Sequence, residues 1–472
     1  MNNLYISFLV TVLCFVNPIS VISQTKANEA KWIGFWSGKL DISSTKLEII
    51  FEVWNDEKGK PVAAMDVPMQ GAKDIQCKVI TIERDSLVLS VPIIMGSFSG
   101  SFVNDSVIQG EWKQSGMTFP LKLSKTRIET ELKRPQTPQK PYPYNEEEVV
   151  YENKDAGIKL AGTLTFPKNG ENFPAVILIT GSGAQDRDET LFEHKPFLVI
   201  ADFLTRNGIA VLRADDRGVG GSEGKTSEAT SKDFADDVMA GIEFLKTRKE
   251  INPLKIGLIG HSEGGLIAPM VATKSKDVAF VVLLAGPGIV GEQILYEQGK
   301  LINKAAGLSE EQAQQNQKMQ EAIFNIVKTE TDSAKRIDRL QRTLSNGMYF
   351  MLNDEQKATV DNQVKTVNND WFKFFLQYDP YPALVRLQCP VLALNGEKDL
   401  QVPPKENLGA IEKALTESGN KNFKTIELPK LNHLFQTCET GAIDEYIRIE
   451  ETISPVVLEI LKDWVLDSGL KH

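Results

Sequence analysis

Gly260-His261-Ser262-Glu263-Gly264-Gly265 places a hydroxyl between glycines two positions before and two positions after it, within the run KIGLIGHSEGGLIAPMV. The apolar segment before it reads as a strand and the segment after it as a helix. G-x-S-x-G in that setting holds the serine Oγ clear of its neighbours at a helix N-terminus. Serine is a weak nucleophile near neutral pH and needs an adjacent base. The chain has 4 histidines, few enough to take singly. His261 adjoins the serine and is expected to point away from it, and His472 ends the chain. His194 falls in a helix-like segment after the loop of the first central strand. His433, in ELPKLNHLFQT, sits in a loop after the strand-like KTIEL, where a base belongs. An acid that orients that base is expected between the two, after a late strand. PVLALNGEKDLQVPP supplies Asp399 there, with Glu397 as the nearby alternative. The chemistry these types can do is acyl transfer: Ser262 attacks a carbonyl, His433 takes its proton, and Asp399 orients the imidazole.

Acyl transfer also needs donors for the developing oxyanion. The backbone N–H of Glu263 is the expected first donor. The second is the N–H of Ser182, with Gly183 close behind, in the loop LITGSGAQDRDE. Asp186, Arg187 and Asp188 lie in that loop, and Asp186 is a candidate substrate contact. Asp215, Asp216 and Arg217 in RADDRGVGGS are expected to tie down a loop beside the sheet edge. No metal site is expected, because these acids have no supporting histidine or cysteine, and no cofactor is called for.

The elements that must position these residues are legible as runs. FPAVILIT, GIAVLRAD, KIGLIG, AFVVLLAG and CPVLALNG are short, nearly continuous apolar stretches ending in Gly or polar turns. Strands buried on both faces of a parallel sheet look like this. Alternation with helix-like stretches predicts an α/β domain with a mostly parallel, doubly wound sheet over residues 151–472. One connection, about 289–385, is too long for that scheme and predicts a helical cap over the ligand-binding edge. Ser309-Glu310-Glu311-Gln312 is a capping-box pattern opening one of its helices. Trp371, Phe372, Phe374 and Phe375 either line a pocket, as candidate substrate contacts, or fix the cap to the sheet; the second role is favoured.

Residues 24–132 alternate in short β-type runs (KLEIIFEVW, SLVLSVPII, SVIQGEW) separated by hairpin-like NDEKGK and VNDS, which predicts a small all-β barrel or sandwich. Four of the 6 tryptophans, Trp32, Trp36, Trp54 and Trp112, lie here; core packing is favoured over a sugar-stacking platform. Residues 133–150, KRPQTPQKPYPYNEEEVV, read as a proline-rich extended linker. Residues 1–23 read as a signal peptide, with Val21 and Ser23 as small residues before Gln24. Export to the periplasm or the extracellular space follows. The absence of Lys or Arg ahead of the apolar run leaves a retained anchor as the alternative, and Leu13 is too large for lipidation at Cys14. Cys77, Cys389 and Cys438 would remain, as free thiols or with a Cys389–Cys438 pair.

The 472 residues, 42% hydrophobic and 25% charged, are long enough for two or three packed domains. Net charge is −10, from 63 acidic against 53 basic residues. With no Lys/Arg block, nucleic acid is not an expected partner. After residue 23 no run is long and apolar enough to span a bilayer, and composition leaves the oligomeric state open.

The order Ser262, Asp399, His433 matches α/β-hydrolases and excludes the chymotrypsin and subtilisin orders. Together, GHSEGG, GEKDLQVPP, LNHLFQ, TGSGAQDRDE and RADDRGVGGSEG resemble secreted bacterial α/β-hydrolase carboxylesterases with a β-rich N-terminal extension, akin to the serine aminopeptidase-like (S33-type) group. The resemblance covers about 155–470. It implies a triad at Ser262, Asp399 and His433 and cofactor-free hydrolysis of short- to medium-chain esters. The expected partner is then a small-molecule ester, with acylated carbohydrate as one candidate. One departure is Thr180, where many relatives carry histidine at the start of the first loop. A serine aminopeptidase-like peptidase of the same fold, an acyltransferase or a thioesterase would use the same residues. A glycan-binding β-module on an inert scaffold is the non-enzymatic alternative.

Overall fold

A computed structural model describes residues 31–468 apart from 43–44, 57–58, 68–71, 83–85, 115–116 and 127–132. The expected signal segment, its cleavage position near Ser23 and Gln24, Cys14 and His472 lie outside the described residues. The chain divides into two compact units, Met1–Leu132 with Phe350–Val360, and Lys133–Tyr349 with Asp361–His472.

In the first unit, eight antiparallel strands close into a barrel: β1 (Gly34–Ile42), β2 (Thr45–Asn55), β3 (Pro61–Val67), β4 (Ala72–Ile82), β5 (Ser86–Val91), β6 (Gly96–Asn104), β7 (Val107–Gln114) and β8 (Met117–Thr126). Alternate residues face inward, as the two-residue strand period requires. In β5, for example, Leu87, Leu89 and Val91 are buried and their neighbours are not. Trp36 pairs with Lys125 where β1 meets β8 and closes the barrel. Trp32, Trp36 and Trp112 are buried among Phe51, Phe98 and Leu121, while Trp54 is half-buried. Their rings fill the interior, the packing role favoured from the sequence. A Cβ on Gly96 would overlap the Trp112 ring, so glycine there is a condition of that packing.

The second unit is built on a sheet of eight strands: β9 (Asn145–Asn153), β10 (Ile158–Phe166), β11 (Phe173–Ile179), β12 (Ala210–Ala214), β13 (Ile251–His261), β14 (Val278–Leu284), β15 (Val391–Gly396) and β16 (Phe423–Leu428). Their spatial order is β16-β15-β14-β13-β11-β12-β10-β9. The five expected apolar runs and KTIEL are the parallel part, β11 to β16, and β9 and β10 add an antiparallel edge. The expected linker 133–150 therefore ends in a strand from Asn145 onward. Its alternating burial leaves one face charged, a pattern masked in the sequence by the adjoining prolines. Strand order reverses at β11, which lies between β12 and β13. In open α/β sheets the crevice at such a reversal, beyond the strands' carboxyl ends, is where ligands bind.

Helices cover both faces. On one side α2 (Ser231–Lys246), α3 (Glu263–Ala272) and α10 (Pro404–Glu417) pack on Ile177, Leu258, Leu283 and Ala393. On the other, α1 (Pro196–Arg206) and α12 (Pro455–Ser468) pack on Val176, Ile259, Val282 and Leu392. The long connection after β14 is helical, as expected: α4 (Gly291–Ala305), α5 (Glu310–Thr329), α6 (Ser333–Leu344), α7 (Asp354–Val367), α8 (Asp370–Gln377) and α9 (Tyr381–Leu384). The Ser309–Gln312 capping box opens α5, each side chain accepting from the other's backbone N–H.

Lys133 to Tyr144 has no strand or helix, turns at Arg134–Thr137, and is anchored by its side chains. The Arg134 guanidinium donates to the carbonyls of Phe192, Ile447 and Ile449, and Gln136 exchanges hydrogen bonds with Thr452 and Ile453. His194 is buried beside this anchor, just ahead of α1 rather than within a helix. Asn432 donates to Gln436 Oε1 at 2.9 Å, which turns the Gln436 amide nitrogen towards His194 Nε2 at 3.0 Å. His194 Nε2 also lies 3.0 Å from the Tyr446 carbonyl, and Nδ1 lies 2.9 Å from Thr452 Oγ1. Burial, with the Arg134 charge adding to it, lowers the His194 pKa from 6.5 to about 4.

A histidine held neutral by the fold takes up its proton first in the unfolded chain. The stability it supports is complete above pH 6.5 and is lost as pH falls towards about 4. The linked loss is about 3 kcal/mol. Thermal melts taken from neutral pH down through that interval are expected to fall more steeply for the wild type than for His194→Gln; parallel curves would disprove the linkage.

Candidate active site

The turn between β13 and α3 consists of a single residue, Ser262, at φ 52° and ψ −116°. A non-glycine residue at positive φ costs on the order of 1–3 kcal/mol and persists only where its surroundings enforce it. The enforcement here is close packing of backbone. A Cβ on Gly260 would overlap the Gly264 carbonyl, and one on Gly264 would overlap the Ile179 carbonyl at the end of β11. One on Gly265 would stand 2.6 Å from Gly286 Cα. The glycines flanking the serine are thus required by contact between α3, β11 and the loop after β14. Ser262 N–H donates to Leu284 O at 2.8 Å, and the serine side stays partly exposed.

His433 and Asp399 meet. His433 Nδ1 lies 2.8 Å from Asp399 Oδ2, with both side chains buried. The other carboxylate oxygen accepts from the N–H groups of Gln401 and Val402 at 2.8 and 2.9 Å. That arrangement fixes the acid and leaves His433 Nε2 as the available ring nitrogen. The loop carrying His433 is wound around buried Asn432, whose Oδ1 accepts from the N–H groups of Leu434 and Gln436. Glu397, the alternative acid, instead accepts from Lys430 N–H.

His261 brings the base loop to the serine turn. Its Nε2 lies 3.0 Å from the His433 carbonyl, its Nδ1 lies 3.0 Å from Glu189 Oε1, and the two imidazole rings are 4.9 Å apart. Glu189 Oε1 also accepts from Gly181 N–H at 2.6 Å. The side chain of His261 thus turns away from the hydroxyl, as expected, and into a buried pair with Glu189. Nothing in the sequence signals that pairing, the two residues being 72 positions apart. The only available signal was the residue type, a histidine where the turn itself requires none.

The candidate oxyanion donors flank the serine. Glu263 opens α3, and the first N–H groups of a helix have no partner within it. Gly181, directly before Ser182, lies against Ser262, with 3.3 Å between an added Cβ and Ser262 Cβ. The loop that follows is held by Asp216, which accepts from Thr180 Oγ1 at 2.7 Å and Gln185 N–H at 2.9 Å. Burial pushes the Asp216 carboxyl up to about 7.

The other candidate substrate contacts are engaged elsewhere. Asp186 Oδ1 accepts from the N–H groups of Asp188 and Thr190, so this carboxylate folds its own loop. Arg187 forks onto Asp215 and also reaches Glu148, Asp188 pairs with Arg213, and Arg217 forks onto Asp237. Trp371 Nε1 donates to Glu263 Oε1 at 2.8 Å, with Ser231 Oγ on the same oxygen at 2.5 Å. Its ring stacks on Phe375, while Phe372 meets Phe324 edge-on. The aromatics of α8 therefore fasten the insertion to the serine turn, and the pocket role expected as the alternative is not what their contacts serve. Burial raises the Glu263 pKa. Cys77, Cys389 and Cys438 are free thiols. Among the described residues no group of three or more His, Cys, Asp or Glu could hold a metal ion, and no helix is long and apolar enough to cross a membrane.

A mostly parallel sheet layered by helices, with a serine on a strained strand-to-helix turn, defines an α/β-hydrolase. Within that class the chain belongs to the X-Pro dipeptidyl-peptidase (S15) family, whose model matches residues 156–426. Where the motifs resemble an S33-type group, the matching family carries the S15 description. The chain is 28% identical over 318 residues to Esterase EstD of Thermotoga maritima, covering 67% of this chain and 68% of that protein. Among solved structures, Est1E from Butyrivibrio proteoclasticus with ferulic acid bound is 20% identical, covers 68% of this chain and 100% of its own, and gives a TM-score of 0.39. A Pyrococcus furiosus esterase is 17% identical, with 71% and 96% coverage and a TM-score of 0.42.

Gly264→Ala tests the packing at the turn. The added methyl has to displace the end of β11, so the variant is expected to melt well below the wild type or to be recovered as insoluble protein. An unchanged melting temperature would remove steric necessity as the reason for that glycine. Trp371→Phe keeps the ring but deletes the donor to Glu263. It is expected to destabilise by about 1 kcal/mol in denaturant titration, the net worth of one hydrogen bond, since Ser231 Oγ still meets that oxygen.

Proposed function

We propose that the protein is a serine ester hydrolase in which Ser262, His433 and Asp399 form the catalytic triad. The observation that supports this reading is the buried His433–Asp399 hydrogen bond, on a loop whose His433 carbonyl faces His261 beside the strained Ser262 turn. His433 Nε2 accepts the Ser262 proton as Oγ attacks the ester carbonyl. The N–H groups of Glu263 and Ser182 face the oxyanion of the tetrahedral intermediate. The imidazolium then protonates the leaving alcohol, and an acyl-enzyme forms. Water, deprotonated by the same imidazole, releases the acid and restores Ser262. The similarity to Esterase EstD supports ester as the substrate class. The mature enzyme is proposed to act outside the cytoplasm, on the strength of the apolar N-terminal run.

Peptide hydrolysis by the same three residues is the second reading, and membership of the X-Pro dipeptidyl-peptidase family supports it. Turnover of p-nitrophenyl acetate and butyrate, set against aminoacyl- and X-Pro-anilides, separates the two. Ester turnover is expected to dominate, and preferential anilide cleavage would overturn the ester assignment. Esters of increasing acyl length, with acetylated and feruloylated sugars among them, then define the substrate.

A fluorophosphonate probe is expected to attach to Ser262, located by peptide mass analysis; active enzyme labelled elsewhere would end the assignment. Ser262→Ala and His433→Ala are each expected to lower kcat by at least about a thousand-fold, and Asp399→Asn by about ten-thousand-fold, while the folded state is retained.

A further inference from the structure

His261 and Glu189 are buried side by side and the triad has no use for either. Both nitrogens of the His261 ring face oxygens: Nδ1 the Glu189 carboxyl at 3.0 Å, and Nε2 the main-chain carbonyl of His433 at 3.0 Å. A carbonyl oxygen has no proton to give. The Glu189 oxygen already accepts the Gly181 N–H at 2.6 Å, so it too is placed as an acceptor. Two hydrogen bonds to two acceptors require a ring with a proton on each nitrogen. Glu189 is held for this purpose at φ 53°, with its N–H on Asp186 O and its loop closed by the Asp186 carboxylate.

We infer that His261 is a buried imidazolium acting as a positioning residue, a charged bracket between Glu189 and the His433 carbonyl that sets the oxyanion loop and the base loop in register with Ser262. This inference rests on the triad reading above. The bracket joins three segments by hydrogen bonds: the loop after β11 through Gly181 and Glu189, the serine turn through His261, and the base loop through the backbone of His433. A neutral imidazole carries one N–H and can keep only one of the two bonds. Deprotonation therefore releases either Glu189 or the base loop.

The charged groups facing His261 are Glu189 on its Nδ1 side and, on its other side, the ring of His433 with Asp399 behind it. Burial opposes a charged ring, but the adjacent Glu189 carboxylate and the His433 carbonyl outweigh it, and the His261 pKa stands above its ordinary value. A group with a raised folded pKa contributes fully at low pH and loses its contribution as pH rises through that value. The register of the site is accordingly lost on the alkaline side.

Glu189→Gln is the informative variant. Its amide oxygen can still accept from Gly181 and His261, but the counter-charge is gone. ¹⁵N NMR of the His261 ring is expected to show both nitrogens protonated in the wild type, with a midpoint above that of free imidazole, and a lower midpoint in Glu189→Gln. The alkaline limb of kcat is expected to move to lower pH by the same interval. Near its alkaline limb, kcat should fall on the order of ten- to a hundred-fold, as small misplacements of reacting groups cost, with KM little changed. His261→Gln should lose kcat at every pH, and Glu189→Asp should restore the wild-type limb in part. A wild-type ring that titrates at or below the ordinary histidine value, or an alkaline limb unmoved in Glu189→Gln, overturns the inference. Fluorophosphonate labelling of wild-type Ser262 keeps the two readings apart: failed labelling sinks the triad, and normal labelling with an unmoved limb sinks the bracket alone.

Discussion

Backbone is pressed closely against backbone where α3 leaves β13 and meets the end of β11. No side chain fits there, which is why Gly260, Gly264 and Gly265 surround the serine and why Ser262 itself takes a conformation that L-residues avoid. The strain is sustained by the sheet. β11 and β13 are paired from Ala175 to Ile179, and both faces beside them are filled with aliphatic side chains. A rigid sheet end thus presents one partly exposed serine, and the candidate base, acid and second oxyanion donor lie in loops.

Those loops are ordered by polar contacts in a largely dry setting. Asp216, Asp215 and Asp186 each accept two or more hydrogen bonds from the segment after β11, and Asp399 and Asn432 do the same for the loops after β15 and β16. Buried acceptors left unmet are expensive, so these short-range networks specify one loop geometry where apolar packing alone would allow several. Two of the buried histidines, His194 and His261, illustrate the division of labour. His194, with the Arg134 guanidinium nearby, is held neutral by burial; His261, with the Glu189 carboxylate against Nδ1 and a carbonyl against Nε2, is held charged.

Much of this was legible in the chain. Strands buried on both faces leave continuous apolar runs, so β11 to β15 could be placed from composition alone, and G-x-S-x-G after such a run located the turn. Asp399 and His433 followed because only strand-end positions in the right order were open to them. Trp112 was legible as core because it falls in an alternating run, whereas Trp54, in another such run, is only half-buried. The bracket of His261 and Glu189 was not, since it depends on the direction the chain takes after a positive-φ residue. The hydrogen bonds of Asp186 and Trp371 were not legible for a related reason. Sequence shows that an acid or an indole is near the site, but not that a backbone N–H or a neighbouring carboxylate has already engaged it. β9 was hidden because an edge strand with one charged face resembles the proline-rich stretch that leads into it.

The anchoring of Arg134 and Gln136 has a practical corollary for dividing the polypeptide. Their side chains saturate carbonyls near Phe192 and in the stretch from Ile447 to Ile453, the same stretch that supports His194 and, through Gln436, the winding of the loop around Asn432. A catalytic fragment started at the first sheet strand would expose those carbonyls and loosen the far side of the site. The seam for excision or fusion therefore lies upstream of Lys133, and a peptide shorter by a dozen residues at that end would carry its damage to a place remote from the cut.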